Sequence, residues 1–423
     1  MIETNALPRR AWLIVGLLWF VGCLNYLDRV MITTMRESLV AAIPMTDAQF
    51  GLLTTLFLLV YAVFSPFAGF IADRFNRSKV IIVSFIIWSA VTWLTAHAKS
   101  YEQLLATRAL MGISEACYIP AALALIADYH RTTTRSFANG VHLSGVLAGS
   151  GLGGLGGWIA ERHGWGHAFM LFGQLGIALA VVLIFFLRDR PADQNGSTPR
   201  GATTTASTTP PVRLGEALRS LLGNKNFLLA LTYWSLMGAS SWAVIGWMPT
   251  YLNEQFKLGQ GVAGLSATGY YQAAALVGVL VGGIWADRWS RKQVLGPIYV
   301  VMVGIAVAAP SILLVSVTDT LVVALGGLVL FGLTKSFVDA NMMPILTLIV
   351  DSRYRATGYG LLNLCACVVG GASIYAGGVL RDAEVNVVRV FQLGGLSFFV
   401  SLAVLFFLRP GKRSQESLAT KGH

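Results

Sequence analysis

Five residues able to do chemistry stand inside segments that otherwise read as oil. In "CLNYLDRVMIT" (23–33), Asn25, Asp28 and Arg29 fall at i, i+3 and i+4, around one face of a helix. In "RALMGISEA" (108–116), Arg108 and Glu115 are two helical turns apart, about 10 Å along the axis. That is too far for direct pairing and near enough to line one cavity. A charge at the centre of a membrane helix costs about 2.5–3.5 kcal/mol on insertion scales, so each needs a partner or a water-filled cavity. Arg29 offers a planar fork of donors suited to a carboxylate. For Asp28 and Glu115, burial favours the protonated acid and a nearby arginine favours the carboxylate. Such opposed influences make proton binding respond to an arriving anion. A salt-bridge network that only braces two helices would use the same residue types. Apolar packing could replace such a brace without loss, which favours the functional reading.

The elements that must position these residues follow from composition. The chain has 423 residues, 55% hydrophobic and only 12% charged, where a soluble domain carries roughly 25%. Apolar runs of membrane-spanning length recur throughout, and hydrocarbon leaves the backbone no partner outside a helix. Twelve spans are predicted, at 11–32, 48–71, 79–97, 103–127, 136–160, 167–187, 226–252, 262–286, 293–316, 320–349, 354–380 and 388–408. After "MIETNALPRR" the apolar run is too long for a signal-peptide core, and no small-residue cleavage site follows, so an uncleaved first span is expected. The net charge of +11 could suggest nucleic acid. Its lysines and arginines, however, gather in the loops on the side of both termini, as the positive-inside rule requires. Both termini are therefore expected in the cytoplasm, with lipid and not nucleic acid as the large partner. Cys23, Cys117, Cys365 and Cys367 lie in apolar runs without disulfide or zinc spacing and read as apolar filler. Neither metal nor cofactor is expected. No Gly-rich loop ending in Lys-Ser/Thr is present, which points to an ion gradient as the driving force and not nucleotide hydrolysis. No nucleophile–base constellation supports an enzyme.

Residues 188–225 form the long polar stretch. Its Ser/Thr/Pro/Gly-rich beginning reads as a flexible linker, and Leu214, Leu218, Leu221 and Leu222 suggest a short interfacial helix at its end. The chain is thereby divided into a first bundle, 1–187, and a second, 226–423, of six spans each. The halves echo one another. "GFIADRFNRSK" (69–79) answers to "GIWADRWSRK" (283–292), "GISEACYIP" (112–120) to "SFVDANMMP" (336–344), and "RSFANG" (135–140) to "RATGYG" (355–360), in preserved order. Glu115 and Asp339 each stand five residues before a proline.

Two parallel six-span repeats, with substrate held near the midplane between them, describe the major facilitator architecture. "GFIADRFNRSK" and its second copy resemble the signature loop of that superfamily. "NYLDR" (25–29), "RALMGISEA" and "WMPTYL" (247–252) are further similar to its anion:cation symporters, which carry sugar acids and other organic anions. The resemblance implies an all-α membrane fold of two six-helix bundles. It also implies proton carriage by Asp28 and Glu115, a substrate grip at Arg29, and organisation of the charges by Arg108. Tyr26 and Tyr61 match positions that face substrate in that family. Spinster-type lipid transporters share the Asp-Arg and Arg…Glu arrangement, so those residues alone do not separate the two.

Asn25, His142, Trp234, Tyr270, Gln272, Asn341 and Asn363, with Tyr271, are added as lining candidates for their depth and chemistry. Aromatics suit the apolar faces of a sugar, amides its hydroxyls. For each, packing or interfacial placement is an equally ordinary reading, and His142 reads as a helix–helix contact more readily than as a proton relay. Lys335 and Asp339, at i and i+4, can neutralise each other, and the family pattern does not require them. Asp73 and Asp287 follow helix C-termini, which disfavour negative charge. They are expected to seek a helix N-terminus or an arginine such as Arg135 or Arg355. With Arg74, Arg77 and Arg288 they would form the cytoplasmic latches that the superfamily resemblance implies. Gly145, Gly149, Gly153 and Gly157 repeat every four residues in the fifth span, and Gly278 and Gly282 in the eighth, allowing close helix contact. This suits rocking bundles and static packing alike. The fifth span lacks the proline of the drug-antiporter motif, which argues against a drug exporter.

The sequence thus leads to a monomeric transporter in a bacterial inner membrane. It imports a small organic anion, a hexonate or hexuronate, together with protons. A spinster-type amphiphile transporter and an anion sensor that carries nothing are the rivals.

Overall fold

Residues 9–130, 132–189 and 214–409 are described by the structure, a computed structural model; within them the side chains of Asp73, Ala72, Gly69, Thr132, Thr133, Leu214, Ser352 and Arg9 fall outside that description. Among the described residues, twelve helices are long and apolar enough to cross a membrane. They are α1 Arg10–Thr34, α2 Asp47–Ala68, α3 Arg77–Thr95, α4 Tyr101–Tyr129, α5 Thr134–His163, α6 Trp165–Phe186, α7 Lys225–Phe256, α8 Gln260–Ser290, α9 Gly296–Val317, α10 Leu321–Ile349, α11 Arg355–Asp382 and α12 Val388–Phe406. The sequence-based spans agree with these to within a few residues.

Polar residues at the membrane edges start the helices. Thr46 and Gln49 form a capping box on α2, while Asn76, Ser100 and Asn224 accept backbone N–H bonds at the starts of α3, α4 and α7. Each cap satisfies N–H groups that the helix itself leaves unpaired. Pro120 interrupts α4, whose regular helix pauses at Cys117. An interior proline costs the helix one N–H donor and crowds the preceding turn.

The same pairings recur in both halves. In the first, α1 packs on α5, α2 on α4, α3 on α4 and α3 on α6. In the second, α7 packs on α11, α8 on α10, α9 on α10 and α9 on α12. The repeat read in the sequence is therefore a repeat of packing. Between halves, α2 meets α11, and α5 meets the start of α8.

Glycines set the closest of these contacts. A Cβ on Gly145, Gly149, Gly153 or Gly157 would collide with Trp19, Cys23, Val30 or Thr34, in order along α1. The stripe in α5 thus holds α1, in its own half. Gly278 and Gly282 likewise hold α10 through Leu333 and Phe337. Other small residues face across the halves: Gly151 and Gly154, which the four-residue period passes over, meet Gln272 and Leu265 of α8, and Gly51 and Gly378 bring α2 and α11 together.

The helix expected at the end of the polar stretch spans Leu214–Leu222. Ala217 and Leu221 are buried, and Glu216 accepts a bond from the Tyr354 hydroxyl at 2.8 Å. It is thus docked on the second half by one face, with Leu222 exposed. The linker before it, 190–213, lies outside the described residues.

Candidate functional site

Packing of α5 against α1 fixes the face that carries Asp28 and Arg29, and α4 brings Glu115 to meet it. Arg29 Nε donates to Glu115 Oε2 at 2.7 Å, and both residues are buried. The guanidinium carbon lies 4.3 Å from the ring centre of Tyr61, 4.7 Å from that of Tyr26 and 5.1 Å from that of Phe57. Such rings attract a cation through their negative faces, so they steady the arginine without using its donors. Asp28 turns to the other side, where its Oδ2 accepts from Thr92 of α3 at 3.1 Å. Arg108 packs 5.4 Å from the ring centre of Phe169, within the electrostatic reach of both carboxylates.

The cluster is only partly paired. Arg29 Nη2, Arg108 Nε, Glu115 Oε1, Asp28 Oδ1 and both amide atoms of Asn25 are buried with no hydrogen-bond partner. Buried polar groups are normally satisfied, and each that is not calls for an explanation. Here two arginines hold spare donors and two carboxylates spare acceptors, all in one place between α1 and α4. The arrangement can exchange an internal ion pair for an external anion and can store protons on the freed carboxylates. Phe57, Thr92 and Phe169 belong to it and were not legible beforehand, since nothing in an apolar helix marks which ring will face a buried cation.

Several lining candidates are placed elsewhere. His142 sits among the buried side chains of the first half and bonds the Tyr118 hydroxyl at 2.8 Å, a contact between helices of one bundle. Asn341 is wholly buried and donates to the carbonyl of Phe337 at 2.8 Å, tying its amide to the backbone of its own helix. Gln272 reaches across the halves to Ser150 Oγ at 2.7 Å, so it fastens α8 to α5. Tyr270 is 51% exposed, whereas its neighbour Tyr271 is buried, within charge reach of Lys335. Trp234 packs edge-on against Tyr233, and Asn363 is half-buried without a described hydrogen bond.

Of the expected latch residues, Arg77 pairs with Asp128. Arg135 donates to the Ala127 carbonyl at 3.0 Å, and Arg355 to the Thr347 carbonyl at 3.2 Å. These two repeat-related arginines thus cap the C-terminal ends of α4 and α10, where carbonyls lack partners and cations are favoured. Asp287, expected to seek a helix N-terminus or an arginine, is exposed, as is Arg288. Arg74 is exposed beside Phe70. The Asp73 side chain lies outside the described residues.

A second charged cluster joins the halves at the end of the bundle away from the termini. Asp47 accepts from Arg36 Nε at 2.6 Å and from Arg381 Nε at 3.0 Å, while Arg381 forks onto Glu254 at 2.7 and 2.9 Å. Asp382 caps the start of α2 through the N–H groups of Asp47 and Ala48, at 2.7 and 2.9 Å. Gln260 bonds Ser38, and Gly261 bonds Glu161. Among the described residues, the hydrogen bonds between the halves lie in this far part of the molecule, down to Gln272–Ser150 near the middle of α8 and α5. The sequence shows these residues only as charges beside loops.

Comparison with known proteins adds the family. The chain is 27% identical over 394 residues to protein spinster homolog 1 of Xenopus laevis, covering 88% of this chain and 73% of that protein. It is 25% identical over 420 residues to the hexuronate transporter of Bacillus subtilis, covering 97% and 96%. The probable sulfoacetate transporter of Cupriavidus necator is 25% identical over 414 residues, covering 94% of each. Among solved structures, a bacterial homolog of the human lysosomal transporter Spinster, in an inward-facing and unoccupied conformation, superposes with a TM-score of 0.73. That likeness covers 95% of each chain at 22% identity. Residues 18–374 match the Major Facilitator Superfamily, and with twelve membrane helices repeated as two bundles the chain belongs to that superfamily of transporters.

Proposed function

We propose that the protein imports a small organic anion, a sugar acid such as a hexonate or hexuronate, in symport with protons. The observation that carries this reading is the buried, underpaired cluster of Arg29, Glu115, Asp28 and Arg108. Placing the arginine- and lysine-rich side inward puts both termini in the cytoplasm of a bacterial inner membrane. The Asp47–Arg381 cluster then closes the outer side. Bundles 1–187 and 226–423, joined by 188–225, rock as a monomer about the central site.

In the outward-facing state, protons on Glu115 and Asp28 release Arg29 from its internal partner. The substrate carboxylate takes the freed fork, since a paired guanidinium has fewer donors to offer. With both acids protonated, the substrate carboxylate compensates the Arg29 charge that the broken ion pair leaves bare, which lowers the cost of carrying that charge past hydrocarbon during rocking. On the cytoplasmic side the protons leave, Glu115 recovers Arg29, and the anion is displaced. The kinship with a hexuronate transporter and a sulfoacetate transporter supports an anionic substrate, and the Arg29 fork suits a carboxylate.

The test is uptake of labelled hexonates and hexuronates into proteoliposomes, with and without an inward proton gradient. Gradient-driven accumulation in the wild type, lost in Glu115→Gln while counterflow exchange persists, supports the reading. Folded protein that moves no acid but moves a lysolipid would replace it with the spinster-type reading. Binding of an acid without flux would replace it with a sensor.

A further inference from the structure

Lys335 and Asp339 are the charges that the proposed cycle leaves unused. They lie midway along α10, with Lys335 Nζ 2.8 and 3.0 Å from the two Asp339 oxygens. The side chains are 11% and 41% exposed. Exposed charge at that depth must face a water-filled cavity, because lipid would not tolerate it. Their electrostatic neighbours fix which cavity: Tyr26 of α1, Tyr233 of α7, Tyr271 of α8 and Tyr359 of α11. These come from both halves. Tyr26 is also the residue whose ring lies 4.7 Å from the Arg29 guanidinium, and it is within charge reach of Lys335.

A bracing role does not account for the pair. Arg29 and Glu115 join two helices, but Lys335 and Asp339 belong to one helix, a turn apart, and such pairs add only about 0.2–0.5 kcal/mol to a helix. The insertion cost of two charges outweighs that gain. Asp339 is the repeat counterpart of Glu115, each five residues before a proline. Each half therefore presents a cation held by its own carboxylate: arginine from the first, lysine from the second.

We propose that Lys335 is a second anion contact, and that the preferred substrate is a short organic dianion with one anionic group at Arg29 and the other at Lys335. The inference rests on the organic-anion reading above and narrows its substrate class. Two cations from the two halves, each paired with a carboxylate of its own half and both near Tyr26, suit a substrate with an anionic group at each end. Lysine suits the second contact because its ammonium is a compact charge on a flexible stem, able to swing from Asp339 to an arriving anion.

The test compares binding of glucarate, a dianion, with gluconate, the corresponding monoanion, to purified full-length protein by isothermal titration calorimetry at fixed pH and ionic strength. The wild type should bind glucarate about 10-fold or more tighter, the worth of one charge-assisted contact. Lys335→Gln should remove that preference and leave gluconate affinity within about twofold. The pair-removal variant Lys335→Gln/Asp339→Asn, which leaves no lone buried charge, should do the same. Arg29→Gln should weaken both acids. Equal affinity of the wild type for the two acids, or a preference that survives in both lysine variants, overturns the dianion proposal and leaves the organic-anion reading standing. Tighter binding of a zwitterion of similar size, lost in Asp339→Asn, would also overturn it. Wild type that binds neither acid overturns both.

Discussion

Arg29 and Glu115, 86 residues apart in the chain, meet at 2.7 Å across two helices, with side chains only 3% and 0% exposed. Removing one partner of such a pair leaves the other buried and uncompensated. Replacing both with apolar residues could leave stability intact. A pair in a membrane interior that is broken and remade is what the proposed cycle requires.

Glu115→Gln keeps the shape and one acceptor but cannot carry a proton. Accumulation against a gradient should vanish while exchange continues. Wild-type uptake should fall as external pH rises, because fewer protons are available to free Arg29, whereas exchange by the variant should be flat with pH. Counterflow and net uptake measured in proteoliposomes across external pH check this. An equal pH dependence in both proteins would remove Glu115 from the coupling.

Arg29→Lys preserves the charge and loses the planar fork. KM for a carboxylate substrate should rise about 10-fold or more, the worth of one hydrogen bond to a charged group. Maximal exchange rate should change less. Initial rates over a substrate series decide it, and an unchanged KM would mean that the carboxylate sits elsewhere.

Asp47→Asn should loosen the far closure, since Asp47 bonds both Arg36 and Arg381. A loss of about 1–2 kcal/mol would shift the balance of states by a factor of about 5–30. Ser150→Cys, placed where Gln272 crosses the halves, reports the opening through labelling by an impermeant maleimide from outside. Faster labelling in Asp47→Asn is expected, and an unchanged rate would show that the charges do not hold the closure.

Gly149→Val should destabilise the fold, because a Cβ there overlaps the backbone of Cys23 and pushes α1 from α5. Overpacking of this kind costs about 1–3 kcal/mol, and backbone contact leaves little room to relax. Gly283→Ala, with nothing within 4 Å of its added carbon, is the control. Thermal unfolding followed by size-exclusion fluorescence should separate them clearly.

His142→Gln should leave the pH profile of transport unchanged, since the ring bonds Tyr118 within the first bundle. A displaced profile in proteoliposome uptake would restore a relay role for His142.

The sequence by itself determined the number of spans, their approximate limits, the twofold repeat and the presence of charges at hydrocarbon depth. These are local properties. A run of apolar residues must be a helix in lipid whatever surrounds it, and a charge among them stands out. Rotation of each helix about its axis was decided by tertiary structure. Helices apolar on all sides carry no amphipathic signal to say which face looks inward. Hence His142 and Gln272 had the right depth and face other helices, Asn341 bonds the backbone of its own, and Tyr271 is buried while Tyr270 is not. The same reason hid the choice of partners. Adjacency in the chain linked Arg29 with Asp28, but the arginine pairs with Glu115, and Asp28 with Thr92. The cluster of Asp47, Glu254 and Arg381 existed in the sequence only as three distant charges. Contact between α2 and α11 and the alignment of their ends made it a closure.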